Sequence, residues 1–411
     1  MRSLELQHKT QQQKLENPIT IIVLLLVSTL TVMAGATLSP AIPEIEQVFI
    51  NTPNVEVLVR LIITLPALFI ALGAPIMGVI VDKWGRKKLL TITTVLYGFA
   101  GGSGFFLNSL NLILISRIFL GIAVAGIMIT STTLIADYYQ ESQRNKILGY
   151  QAGFMAFGGI LFLITGGFLA TINWQFTFLI YFSALFLIPG ILIYLYEPES
   201  VEKRNISKGQ KNISGSDRSV PYKFIITIYS LVLVLQIFFF FSITELPFFL
   251  AGSLSLNPNL VGIVLASMTV SGGVFSILYK SIKEKISFKS IFFISHFFFG
   301  LGYILIAFFP SVEFIVIGLF TAGIGLGLFV PNVTVWLTLK THSSIRGRVL
   351  SGFTMSLFLG QFLSTFISQL FLNILSFSFS DMFLIAGISM IIIALVFLGL
   401  IIKEKNFKTI S

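Results

Sequence analysis

Apolar residues in this chain fall into long runs broken by short polar connections, and the lengths of those runs set the first expectation. A helix needs roughly 20 apolar residues to cross about 30 Å of hydrocarbon. Twelve runs meet that length, near 19–41, 55–81, 89–107, 111–136, 147–170, 174–196, 223–252, 259–281, 289–309, 312–339, 349–374 and 380–402. They predict an all-α membrane protein of twelve transmembrane helices. The one long polar stretch between runs, 197–222, is rich in Ser, Lys, Asn and Gly and reads as a linker. It divides the chain into a tail (1–18), a six-helix bundle (19–196), the linker, a second six-helix bundle (223–402) and a final tail (403–411).

Charge orients these helices. Of the 27 Lys and Arg, 25 lie in the tails and in the connections that follow even-numbered runs. Membrane proteins retain Lys and Arg on the cytoplasmic side, so both termini and the linker are expected there, in the plasma (cytoplasmic) membrane. Glu44, Glu46, Glu56, Glu313 and Asp381 then fall on or near the outer face. The two exceptions, Arg60 and Arg117, lie inside apolar runs. Placed beside the membrane, the net charge of +10 speaks for a lipid bilayer and not for nucleic acid.

Composition narrows the class further. The 411 residues are 55% hydrophobic and 11% charged, with a mean hydropathy of +0.94, far from soluble domains. The 43 Phe and 34 Gly suit helices packed closely in lipid. The absence of cysteine excludes disulfides, thiolate metal sites and cysteine nucleophiles. No phosphate-binding loop, zinc motif or nucleophile elbow is present, and Gly323-Ile-Gly-Leu-Gly327 lies inside a span. Neither an enzyme nor an ATP-driven pump is expected, and no cofactor or metal.

The polar breaks carry the candidate machinery. Gly78-Val-Ile-Val-Asp-Lys-Trp-Gly-Arg-Lys-Lys88 joins the second and third runs, with Asp82 just inside a cluster of cations and Gly78 and Gly85 where helix ends would approach. The halves echo each other: Arg144-Asn-Lys-Ile-Leu-Gly-Tyr150 opens run 5 and Arg346-Gly-Arg-Val-Leu-Ser-Gly-Phe353 opens run 11, with one inserted residue. The partner of the Asp82 hairpin, Gly273 to Lys283, has Ile277 in place of the acid. Such repeats are typical of transporters, here one strong copy and one degenerate.

The hairpin Gly78-x3-Asp82-x2-Gly85-Arg86-Lys87-Lys88 resembles the loop 2–3 motif of the major facilitator superfamily. Arg117-Ile-Phe-Leu-Gly121 is similar to that family's motif in span 4, with Leu120 where Gln is usual. Trp174-x-Phe176, Leu246-Pro247-Phe248 and Arg346-Gly347 resemble its twelve-helix drug:proton antiporter branch. Phe162-Leu-Ile-Thr-Gly-Gly167 keeps the final glycine pair of the antiporter motif and lacks its Gly-Pro. The resemblance implies two bundles related by a pseudo-two-fold axis, an alternating-access mechanism and a monomeric transporter.

Within that frame each polar residue has two readings. Asp82, with Arg86, Lys87, Asp137, Arg144 and Arg346, is expected to form an inner latch, in which Asp82 meets the N-terminus of span 11 suggested by the resemblance; the alternative is that the cations only enforce topology. Arg117, costly within a span, is expected to face the substrate cavity, or else to bond backbone carbonyls between helices. Glu245, before Pro247, is either a proton-binding carboxyl or an outer gate contact. Pro247 should leave a carbonyl one turn earlier unpaired. Glu56 and Arg60, spaced i, i+4, are expected to pair. Gln151, Gln236, Asn332 and Gln361 are candidates for the pathway wall or for interhelical hydrogen bonds, and His296 for packing. The expected function is secondary active, proton-coupled export of a small organic molecule, as in drug efflux. Export of an endogenous metabolite such as a siderophore or metallophore, or a non-transporting sensor or lipid-handling role, remain the competing readings.

Overall fold

The computed structural model describes residues 17–198 and 222–410. The expected first tail up to residue 16 and the linker between 199 and 221 lie outside the described residues. Twelve principal helices follow in order: α1 Pro18–Ala36, α2 Val55–Trp84, α3 Arg86–Gly102, α4 Leu110–Tyr138, α5 Glu141–Ile172, α6 Phe176–Tyr194, α7 Tyr222–Thr244, α8 Pro258–Lys283, α9 Phe288–Phe308, α10 Val312–Lys340, α11 Ser343–Gln369 and α12 Phe379–Ile410. No strand occurs among the described residues.

Local chemistry sets several of the ends. α1 and α8 both begin Asn-Pro: the Asn17 and Asn257 side chains accept from Ile19 N and Leu260 N at 2.9 Å, and the proline occupies the first turn, where its missing N–H costs nothing. α1 continues through a 3₁₀ turn, Ser39–Ala41, into a short helix, Ile42–Val48, which carries Glu44 and Glu46. α7 breaks at Glu245 and resumes as Leu246–Gly252. α11 ends in a π turn, Leu370–Ile374. α12 stays helical well beyond the expected end of its span at 402.

Among the described residues, eleven helices are long and apolar enough to cross a bilayer. The twelfth, α3, has 17 residues because Gly85 ends α2 immediately before it, and it starts with Arg86, Lys87 and Lys88. A 3₁₀ turn, Ser103–Phe105, lengthens it at the other end.

Two apolar cores organise the helices. One draws on residues between Val23 and Leu195 with Phe240 added, the other on residues between Ile225 and Phe397 with Leu163 added. The two intruders mark where α7 and α5 cross to the other group. The glycine run Gly323 to Gly327 seats α10 on its neighbours: a Cβ at Gly325 would collide with the Ser295 carbonyl of α9, and one at Gly327 with the Gly272 carbonyl of α8.

Candidate functional site

One end of the bundle carries the Lys- and Arg-rich connections and is here called the basic end; the other carries Glu44, Glu46, Glu56 and the break in α7. At this acidic end the two groups of helices are tied together through Arg60. Its Nε donates to both oxygens of Glu245, at 2.7 and 2.8 Å, and its Nη1 donates to Glu46 at 3.0 Å and to the Glu56 carbonyl at 2.7 Å. The guanidinium also lies 4.1 Å from the centre of the Phe248 ring. Ser368 of α11 donates to Glu245 at 2.6 Å. Arg60 and Glu245 are 6% and 2% exposed, so the pair is removed from solvent and depends on this full set of partners.

Two further bonds cross the same boundary. Thr64 of α2 and Thr365 of α11 share a hydroxyl hydrogen bond of 2.6 Å, and Ser39 donates to the Ile243 carbonyl at 2.6 Å. Ile243 lies four residues before Pro247, and its carbonyl is the one expected to be freed. The predicted polar gap in α7 is thus filled by a hydroxyl from the α1 extension. The expected Glu56–Arg60 side-chain pair does not form. Arg60 takes only the Glu56 carbonyl, while the Glu56 carboxylate accepts from Asn373 Nδ2, because Arg60 points inward to Glu245.

From the middle of the bundle a cavity of about 1090 Å³ runs toward the basic end. Its deep part is walled by Ile63, Met128, Phe239, Phe240 and Phe358, and its basic-end rim by Lys146, Tyr150, Ser276 and Ile277. Of the four uncharged candidates only Gln361 lines it; Gln361 Nε2 reaches Gln236 Oε1 at 3.5 Å behind it. Apolar wall with a few polar groups is the usual make-up of a small-molecule site.

At the basic end the Asp82 hairpin has a single-residue turn. Gly85 has φ +89° and ψ 154°, a region essentially closed to other residues. Glu197 accepts from Arg86 N at 2.6 Å and Lys87 N at 2.9 Å, capping α3 with an anion from beyond the end of α6. Arg86 donates to Asp137 at 3.1 Å and to Asp82 at 3.2 Å, and Lys87 Nζ to the Leu192 carbonyl at 2.7 Å. The Asp82 side chain is 70% exposed. No ion pair among the described residues takes Asp82 to α11, or gives Arg144 or Arg346 a carboxylate; Arg346 Nε is buried without a hydrogen-bond partner among them. The structure therefore assembles Asp82, Arg86 and Asp137 and leaves Arg144 and Arg346 apart. Gly78 faces open space and makes no close approach.

The family model of the Major Facilitator Superfamily matches residues 24–245 and 228–409. The chain is a major facilitator superfamily transporter. It is 35% identical over 144 residues to "Multidrug resistance protein 1" of Bacillus subtilis (strain 168), a match covering 34% of this chain and only 36% of that relative. It is 25% identical over 331 residues to a "Putative proline/betaine transporter" of Staphylococcus aureus (strain COL), covering 71% and 69%. The inward open xylose transporter XylE from E. coli superposes with a TM-score of 0.71 at 17% identity over 92% of this chain and 94% of that one, a likeness of fold.

Several expected pathway residues of the transporter lie elsewhere. Arg117 is fully buried away from the cavity lining. Its Nη2 donates to the Gly101 carbonyl at 2.7 Å, Nε to Ser116 at 3.3 Å, and its guanidinium lies about 5 Å from two rings, Phe178 (4.9 Å) and Tyr181 (5.1 Å). It meets buried carbonyls in the last turn of α3, the geometry of the packing alternative, and does not line the cavity. Asn332 donates to the Phe288 carbonyl at 3.1 Å, and Gln151 to Ser28 at 2.7 Å; both join helices within one group and neither lines the cavity. His296 is buried among Phe292, Phe329 and Phe397, as expected for packing. Sequence reasoning did not single out Glu197, Ser368 or Lys146. Lys146 stood inside the repeated segment opening run 5, which was the available signal.

Proposed function

We propose that the transporter exports amphipathic organic molecules, taking them from the cytoplasm or the inner leaflet by alternating access. The observation that carries this is the cavity: apolar, about 1090 Å³, reaching mid-bundle from the basic end while the Arg60 cluster closes the other. Cationic loops stay cytoplasmic, so this state would receive cargo from inside. The partial likeness to a protein named for multidrug resistance supports the same reading. A small zwitterion or sugar would leave most of its polar groups unpaired against such a wall.

Protons are the proposed coupling ion. Glu46 and Glu245 share the one guanidinium of Arg60, so a proton on either carboxyl balances the charge of a mostly buried site and weakens its hold on Arg60. Rocking of the two helix groups would then close the basic end, where Asp82, Arg86, Lys87, Asp137, Arg144 and Arg346 are proposed to latch. The test is flux of a fluorescent amphipath in proteoliposomes with an imposed pH gradient. Gradient-dependent flux is expected; binding without any flux would identify a sensor instead.

A further inference from the structure

The cavity is asymmetric in charge. Among the described residues its lining contains no carboxylate and one cation, Lys146. The nearby acids among the described side chains are engaged elsewhere: Glu46 and Glu245 by Arg60 at the closed end, Asp82 and Asp137 by Arg86, and Glu197 by the backbone of α3. Lys146 has no ion pair among the described residues; its Nζ rests 5.8 Å from the centre of the Tyr150 ring. Further along α5, added Cβ atoms at Gly149 and Gly153 would meet nothing within 4 Å, so the wall between Lys146 and the aromatic depth is bare and open. Its repeat counterpart, Arg348, is exposed and outside the lining.

We infer that this cavity selects anionic amphipaths, with the acidic headgroup at Lys146 and the apolar body against Phe239, Phe240 and Phe358. This rests on the exporter reading and names its substrate class. A lipophilic cation entering the same space would lose hydration, meet no carboxylate among the described lining residues and face Lys146, so discrimination comes from repulsion as well as attraction. An exposed lysine contributes modestly, and the depth of the cavity stays indifferent to charge.

The test uses the full chain in phosphatidylcholine nanodiscs and two probes that share a dansyl fluorophore and a dodecyl chain, one ending in sulfonate and the other in trimethylammonium. The sulfonate is expected to bind about fivefold tighter, the scale of one exposed ion pair. Lys146→Arg should keep the preference, Lys146→Gln abolish it and Lys146→Glu invert it, while Arg348→Glu, an equal charge change at the repeat-related position, should leave it unaltered. Equal affinity for both probes, a cation preference, or a sulfonate preference surviving both Lys146→Gln and Lys146→Glu would overturn the assignment. Sulfonate bound selectively but not moved in proteoliposomes would support the charge selection and remove the exporter reading. Binding of neither probe would overturn both.

Discussion

Arg60 and Arg117 both stand as lone cations in apolar runs, and their surroundings send them to different work. Arg117 meets carbonyls at the early end of α3 within its own helix group, whereas Arg60 reaches across to Glu245. Arg117→Ala should therefore destabilise the fold by about 2–4 kcal/mol, from a lost carbonyl partner plus a cavity, yet leave substrate affinity unchanged. Thermal unfolding paired with a binding titration separates the two effects. The presence of a buried cation was legible from its position in a run; its partner was not, since Gly101 and Ala100 offer only backbone oxygens that no side-chain pattern announces. The i, i+4 spacing of Glu56 and Arg60 pointed to the wrong carboxylate for a related reason. Local spacing competes with a buried acid brought in from α7, and desolvation makes the buried partner the stronger one.

At the scale of elements, the turn between α2 and α3 depends on one glycine and one distant carboxylate. Gly85→Ala forces a side chain into a conformation closed to it and onto Glu197, with an expected loss of about 1–3 kcal/mol. Glu197→Ala removes the cap from two backbone donors and should cost about 0.5–2 kcal/mol. Gly78→Ala, in open space within α2, should be neutral or slightly stabilising by helix propensity. Chemical denaturation of the three variants in one detergent gives the ranking, and equal effects at Gly78 and Gly85 would contradict the geometry. The two glycines looked alike in the motif because spacing does not reveal φ. Pro247 was more readable: a proline's effect on the carbonyl four residues earlier is fixed by covalent chemistry, and only the donor, Ser39, had to come from the fold.

For the whole molecule, hydropathy and the placement of Lys and Arg made the twelve helices legible, because a bilayer imposes length and sidedness on every span. Which end is closed was not legible, since it depends on contacts between residues more than 180 positions apart, such as Arg60 with Glu245 and Ser39 with Ile243. Asp82, read as a latch, is exposed here, consistent with a basic end that stands open in this conformation.

The closed acidic end is held by a buried network whose disruption costs about 3–5 kcal/mol when one partner is removed. Arg60→Ala should therefore shift the population toward a state open at that end. The chain has no native cysteine, so two introduced ones report cleanly. The most direct measurement is the distance between spin labels at Asn51→Cys and Ser253→Cys, one on each helix group at the acidic end, in nanodiscs. A short distance is expected in the otherwise unaltered chain, with a longer population appearing in Arg60→Ala and in Glu245→Gln; an unchanged short distribution in both variants would contradict a gate held by this ion pair.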